Sequence, residues 1–336
     1  MFENKKILIT GGTGSLGTAL VRRLLQHDPK IIRIYSRNEY NQIHMRREFQ
    51  DSSKLRFFLG DIRDYFRLVR AMEDTDIVFH TAALKDVVEV EYNPFESIKT
   101  NVVGSQNVID ACREAKVGLA VGVSTDKAVA PLSVYGSTKL LMEKLFTSAA
   151  NYVDVKKHPT KFIGVRYGNV LGSHGSVAPK FIAQIKARQP ITITDPGMTR
   201  FNLTMDEALD FILGSASKDK SSVVFVPKLK AYNIMDLRDA LFEMLGSTEC
   251  RMGKIRPGEK LSEVLISSDE MRNTLEGDRD YIITRGYDQG GDLEAEHPGY
   301  RRARGDSAYS SSAAEKLSKA DMIKMLKPLV ENPAEH

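Results

Sequence analysis

The chain has 336 residues, 42% hydrophobic and 27% charged, a globular composition long enough for one large core or two modest ones. Its 48 basic and 44 acidic side chains leave a formal charge of +4, too small an excess to point to nucleic acid as a partner. Two cysteines, Cys112 and Cys250, exclude a disulfide framework, and no run approaches the roughly 18 apolar residues of a membrane span. Residues 1–6 run straight into an apolar strand without a signal-peptide pattern, so a soluble cytoplasmic protein is expected.

Short β-branched runs predict strands over 6–10, 31–35, 56–59, 77–80, 119–123 and 161–166. Between them, helical periodicity covers 17–26, 65–72, 98–115 and 137–151. Strand–helix alternation of this kind predicts an α/β fold, a doubly wound parallel sheet of Rossmann type covered on both faces. After residue 170 the spacing is broken by Pro179, Pro190, Pro196, Pro227 and Pro257, which suits a smaller mixed α/β substrate-binding lobe. The expected division is a dinucleotide-binding domain over 1–170 and a lobe over 171–285, some of whose elements return to the first domain. Residues 286–336 then form an extended arm and a C-terminal helix over 318–330. The stretch 286–312 is poor in aliphatics and rich in Gly, Ser and charge, so it reads as an arm ordered by a neighbouring subunit.

Gly11-Gly12-Thr13-Gly14-Ser15-Leu16-Gly17 follows the first strand and opens the first helix. Small residues there let backbone amides approach a pyrophosphate at a helix N-terminus. The second strand ends in Ser36-Arg37-Asn38, without the acid that grips a ribose in NAD sites. Arg37 suits a 2′-phosphate and Ser36 can add a hydrogen bond, so NADP is the expected cofactor. Asp61 and Ile62 after the third strand, Ala82 and Ala83 after the fourth, and Asn101 lie where the rest of a dinucleotide would run.

Tyr135 and Lys139 stand four residues apart on a helix, hence on one face. An ammonium beside a phenol lowers its pKa, and the phenolate then takes a hydroxyl proton while hydride leaves the same carbon. Thr125, after the fifth strand, is placed to hold the reacting oxygen. Seven scattered histidines show no ligand spacing, and no metal is expected; His80 ends a buried strand and reads as a core residue.

These motifs resemble the extended short-chain dehydrogenase/reductase superfamily over roughly the first 270 residues. Ala82-Ala83-Leu84-Lys85, Glu91-Tyr92-Asn93-Pro94, Ser124-Thr125-Asp126-Lys127-Ala128-Val129 and Arg256-Pro257-Gly258-Glu259-Lys260 narrow the resemblance to inverting UDP-N-acetylglucosamine 4,6-dehydratases of surface-sugar pathways. The resemblance implies a UDP-sugar substrate, NADP and a homo-oligomer. It also implies that Tyr135 takes the C4 hydroxyl proton, that Lys127 as a neutral amine removes the C5 proton and returns one to the opposite face, and that Asp126 donates to the departing C6 hydroxyl. Proximity of Lys139 is expected to depress the pKa of Lys127. The same resemblance assigns Lys85, Asn169, Val177, Lys180, Thr194, Arg200, Arg256 and Glu259 to the substrate, with Lys85 also near the cofactor. Asp86, beside Lys85, departs from the family pattern and could pair with it. Retaining dehydration, 4-epimerisation and a non-catalytic NADP-sensing role remain alternative readings; the Asp126–Lys127 pair argues against an epimerase, which needs neither group.

Overall fold

A computed structural model describes residues 1–152, 159–172, 176–255, 258–285 and 292–331. Six strands come first: β1 (Lys6–Thr10), β2 (Ile31–Ser36), β3 (Leu55–Leu59), β4 (Ile77–His80), β5 (Leu119–Val123) and β6 (Lys161–Val165). They alternate with α1 (Ser15–Leu25), α2 (Glu39–Glu48), α3 (Tyr65–Met72), α4 (Val87–Tyr92), α5 (Pro94–Ser97), α6 (Gly104–Glu114) and α7 (Val134–Ser148). The rest of the chain supplies β7 (Asn169–Val170), α8 (Val177–Lys186), β8 (Ile191–Ile193), β9 (Thr199–Leu203), α9 (Met205–Ala216), β10 (Val223–Pro227), β11 (Ala231–Asn233), α10 (Ile234–Leu245) and β12 (Cys250–Met252). Then follow β13 (Val264–Ile266), α11 (Ser268–Met271), β14 (Thr274–Glu276), β15 (Asp280–Ile283), α12 (Leu293–Glu296), β16 (Arg301–Arg302), β17 (Tyr309–Ser310) and α13 (Lys319–Glu331).

The large sheet has the order β3-β2-β1-β4-β5-β6-β10-β15-β14-β16. The strands from β3 to β10 run parallel, and β15, β14 and β16 add an antiparallel edge. The central strands are apolar on both faces because helices cover both. Ile7, Ile9, Phe79, Val121 and Ile163 pack toward α1 and α9, and Leu8, Val78, Ala120 and Phe162 toward α3, α6 and α7. A separate apolar cluster joins α8, β8, α10 and α13 through Ile182, Ile193, Leu237 and Leu326.

Two expectations change here. The helix expected over 98–115 begins as a π-helical turn over Ile98–Val103 and becomes α-helical only at Gly104. The arm expected to need a neighbour is, over 292–312, folded onto its own chain: β16 pairs with β14, β17 pairs with β13, and Tyr300 and Ser311 are buried. Composition hides this because few, spaced side chains do the anchoring. Residues 286–291 lie outside the described residues.

The largest fully buried side chain is Arg166, just past β6. Its guanidinium meets Glu143 of α7 through Nε (2.9 Å) and Nη2 (2.6 Å), and Glu270 of α11 through Nη1 (2.9 Å) and Nη2 (2.8 Å). Nη1 also donates to the carbonyl of Leu265 in β13 at 2.8 Å. One cation thus joins β6, α7 and the β13–α11 segment. Removing it while leaving both carboxylates exposes an uncompensated buried charge. Arg166→Leu is expected to lower stability by about 3–5 kcal/mol, read from urea unfolding; a loss below about 1 kcal/mol would mean that this cluster is not what joins the three elements.

Candidate active site

The glycine turn fits only small residues. Gly11 has φ +67°, and a Cβ there would come 2.8 Å from the backbone of Ala82. A Cβ on Gly17 would lie 2.6 Å from the carbonyl oxygen of Gly11. Gly14, the N-cap of α1, offers no side-chain hydrogen bond, so the first amides of that helix remain open to an anion, with Thr13, Ser15 and Leu16 around them. These residues fit a dinucleotide pyrophosphate.

At the tip of β2, Arg37 is half exposed and stands 3.9 Å from Asp61. Asp61 is itself held by Arg63, through Nε at 2.9 Å and Nη2 at 2.7 Å. The Ser36 hydroxyl accepts from Gln42 Nε2 at 3.0 Å, which leaves its own hydrogen free to donate. Asn38 caps α2, its side-chain carbonyl accepting from the amide of Asn41. The Ile62 side chain is buried against Gly104 in the core, which leaves its backbone as the part that could meet a cofactor.

Asn101 is bonded into the scaffold beside that expected path. It is buried, its Oδ1 accepts from the amide of Leu84 (2.8 Å), and its Nδ2 donates to the Leu84 carbonyl (2.9 Å), Ser97 Oγ (3.1 Å) and Thr138 Oγ1 (3.0 Å). Its amide hydrogens are used, its oxygen keeps one lone pair, and the bonds to Leu84 fix the loop carrying Ala82, Ala83 and Lys85. His80 is a buried core residue bonded to Thr10 Oγ1 (2.7 Å) and Ser105 Oγ (2.9 Å). Burial pushes its pKa down to about 3, with the Lys139 charge adding to the shift, and keeps the ring neutral.

The chemical groups meet where α7 abuts the loop after β5. A Cβ on Gly136 would stand 2.2 Å from the carbonyl oxygen of Lys127, so only glycine lets α7 approach this closely. Ser133 caps α7 by accepting from the Gly136 amide, and Glu91 of α4 accepts from the Val134 amide. The Thr125 hydroxyl donates to Asp126 Oδ1 at 2.9 Å. Lys127 Nζ donates to the same oxygen at 3.0 Å and to Asn169 Oδ1 at 3.2 Å, and lies 3.9 Å from Glu263 Oε1. Asp126 is fully buried, and its Oδ2 has no hydrogen-bond partner.

The electrostatics differ from expectation. Burial draws the pKa of Lys127 down, but the carboxylates of Asp126 and Glu263 outweigh it and raise the group above the ordinary lysine range. These carboxylates favour the ammonium form of Lys127 over the neutral amine. It is Lys139 that is lowered, to about 8, by burial that Glu143 only partly offsets; its ammonium donates to the Val123 carbonyl. Tyr135 is raised by burial to about 12, against the downward pull of Lys127 and of a hydrogen bond with Thr125. Lys127 is thus a cation that draws the phenol down.

A cleft of about 700 Å³ opens beside this cluster, lined by Lys85, Lys127, Asn169, Val177, Lys180, Thr194, Arg200, Glu259 and Glu263 among others. Seven of the eight residues expected at the substrate face this one cavity; the eighth, Arg256, lies outside the described residues. Arg200 stands 3.6 Å from Glu259 and 3.7 Å from Glu263. Asp86 caps α4 by accepting from the amides of Val88 and Glu89, so it is committed to the helix and not paired with Lys85. Glu263 and Tyr232 also line the cleft, and the sequence reading did not select them. Glu263 stands three residues past the recognised motif that ends at Lys260, and only its burial against two cations distinguishes it.

A family model described as "Polysaccharide biosynthesis protein" matches residues 7–285. An inverting UDP-N-acetylglucosamine 4,6-dehydratase of Campylobacter jejuni is 45% identical over 84% of each chain. A UDP-glucose 4-epimerase of Rickettsia felis is 44% identical over 81% of this chain and 80% of its own. A Methanocaldococcus jannaschii protein named as an uncharacterized membrane protein is 40% identical over 98% of this chain and 97% of its own. Among the described residues here, no helix is long and apolar enough to cross a membrane. The X-ray structure of Pen from Bacillus thuringiensis matches with a TM-score of 0.88 and 37% identity, covering 97% of this chain and 98% of that one.

With its pKa lowered to about 8, Lys139 is neutral in the folded chain where the unfolded chain is still protonated. The folded state therefore bears a full penalty for charging Lys139 below about pH 8, relieved as pH rises toward the ordinary lysine range. Side-chain NMR of labelled lysines is expected to show one group titrating near 8 that disappears in Lys139→Met. If every lysine titrates in the ordinary range, burial has not lowered this one.

Proposed function

Because the chain belongs to the polysaccharide biosynthesis protein family, we propose that it is an NADP-dependent UDP-N-acetylglucosamine 4,6-dehydratase that inverts C5. The observation that carries this reading is the hydrogen bond between Asp126 and Lys127 at 3.0 Å, close enough to Tyr135 to act on its phenol, with Lys127 lining the cleft. A 4-epimerase moves a hydride at C4 alone and uses neither a base for C5 nor an acid for C6. A 4,6-dehydratase needs both at once.

The ion pair and the reactive pair hold the same number of protons. Passing one proton along the 3.0 Å contact turns a carboxylate and an ammonium into a carboxylic acid and an amine. Sealing the cleft with substrate favours that exchange, because removing water penalises two charges more than two neutral groups. Lys127 as an amine then takes the C5 proton, and Asp126 as an acid protonates the departing C6 hydroxyl, releasing water. Tyr135 accepts the C4 hydroxyl proton as a phenolate; burial raises the phenol to about 12, and the positive nicotinamide of a bound cofactor would favour its ionisation. A nicotinamide held at the glycine turn would supply a hydride acceptor for C4 and a hydride donor for C6, with no net oxidation. Lys127 protonates C5 from the opposite face, which gives the inversion. NADP is preferred because β2 ends in Ser36 and Arg37 without an acid, and the Ser36 hydrogen is free. Arg200, Lys85 and Arg256 hold the diphosphate, and Val177, Lys180 and Thr194 line the nucleotide end.

NMR of the protein with UDP-N-acetylglucosamine in heavy water tests this. The expected product is a 4-keto-6-deoxy sugar with deuterium at C5 and couplings of the inverted ring. Asp126→Asn and Lys127→Ala should each cut dehydration by at least about 100-fold. A product epimerised at C4 with C6 oxygen retained would overturn the reading, and retained C5 would remove Lys127 as the opposite-face donor.

A further inference from the structure

Glu263 faces the Asp126–Lys127 pair yet takes no part in the steps above. Its side chain is 5% exposed, with Oε1 at 3.9 Å from Lys127 Nζ and 3.7 Å from Arg200 Nε. Its Oε2 is buried without a hydrogen-bond partner, as is Oδ2 of Asp126. Two buried carboxyl groups thus face one ammonium, and such a place is held only if the backbone carrying it is fixed.

That fixing comes from far along the chain. Ser311, fully buried after β17, donates its amide to the Glu263 carbonyl at 2.8 Å, and its hydroxyl accepts from the Glu263 amide at 2.9 Å. The same hydroxyl donates to the Thr199 carbonyl at 3.1 Å and lies 2.8 Å from Thr199 Oγ1. Thr199 precedes Arg200. One serine of the C-terminal extension therefore sets both residues that meet at Glu263 Oε1.

We propose that Glu263 is a positioning residue that holds Lys127 as an ammonium against Asp126 in the resting site, and that Ser311 keeps Glu263 in register. A second carboxylate close to an amine favours its charged form, and here burial would otherwise strip that charge away. The other groups facing Lys127 are Asp126, Asn169, Tyr135, Tyr232 and Lys260, with Arg200 and Lys260 as further cations acting on Glu263. Glu263 so keeps one proton stored in the pair until the cleft is filled. A diphosphate that recruits Arg200 also changes the field at Lys127, which couples substrate arrival to the proton. Use of that proton in dehydration rests on the function proposed above, whereas the resting state of Lys127 does not.

The test is NMR titration of labelled lysine side chains in the full chain without substrate, with Lys127 assigned by its loss in Lys127→Arg. In Glu263→Gln, Lys127 is expected to titrate at least about one pH unit lower than in the wild type, with part of the shift restored by Glu263→Asp. Ser311→Ala should shift it the same way by less, and carries the test if Glu263→Gln does not fold. Titration curves that superimpose on the wild type overturn the proposal. No turnover is needed, so a shift in a protein that fails to dehydrate the sugar would sink the functional reading and leave the role of Glu263 standing.

Discussion

The buried guanidinium of Arg166 is the contact on which the rest of the molecule depends. It bonds at once to Glu143 on α7 and Glu270 on α11, and to the carbonyl of Leu265 in β13. α7 carries Tyr135 and Lys139, and Glu263 stands immediately before β13. The two halves of the reaction centre, one from the parallel sheet and one from the later chain, are therefore registered by a single cation. Burial pushes the Glu270 carboxyl up, and Arg166 overrides this to hold it below the usual range. Desolvation makes such a cluster a poor source of net stability, yet an expensive one to leave incomplete, so its effect is to fix one arrangement of the three elements.

From that registration follows a cleft in which the charges nearly cancel. Asp126 and Glu263 stand against Lys127, Arg200 and Lys260, and each acid is within reach of a cation. Burial, Asp126 and the cations pull Glu263 in opposite directions, and the net displacement is upward. The arrangement sets an acid and an amine side by side at the wall of the cleft. That is the condition dehydration imposes, since an acid and a base must act on adjacent carbons without quenching each other.

Much of this was legible in the sequence because it is local. The strand positions, the glycine turn and the Tyr135–Lys139 spacing are short-range patterns, and the first six strands lie where alternation places them. What the sequence does not show is contacts over long separations. Nothing in it reveals that Leu84, Ser97 and Thr138 bond to the Asn101 amide. The resting charge of Lys127 depends on Glu263, 136 residues away by numbering and not legible beside it. The stretch 292–312 looked unanchored because Ser311 and Tyr300 pack singly, and composition averages them away.

The claim at the centre of this account is that one proton moves within the Asp126–Lys127 pair when substrate fills the cleft. Proton linkage on binding tests it directly: calorimetric titration of UDP-N-acetylglucosamine into the cofactor-loaded Tyr135→Phe protein, in buffers of differing ionisation enthalpy. The Asp126→Asn, Lys127→Ala background, titrated alongside, subtracts protons exchanged elsewhere. The expected result is no net proton taken up or released by the pair. Release of about one proton to solvent would mean that Lys127 becomes a base by losing its proton to water, and would contradict a proton held in the pair.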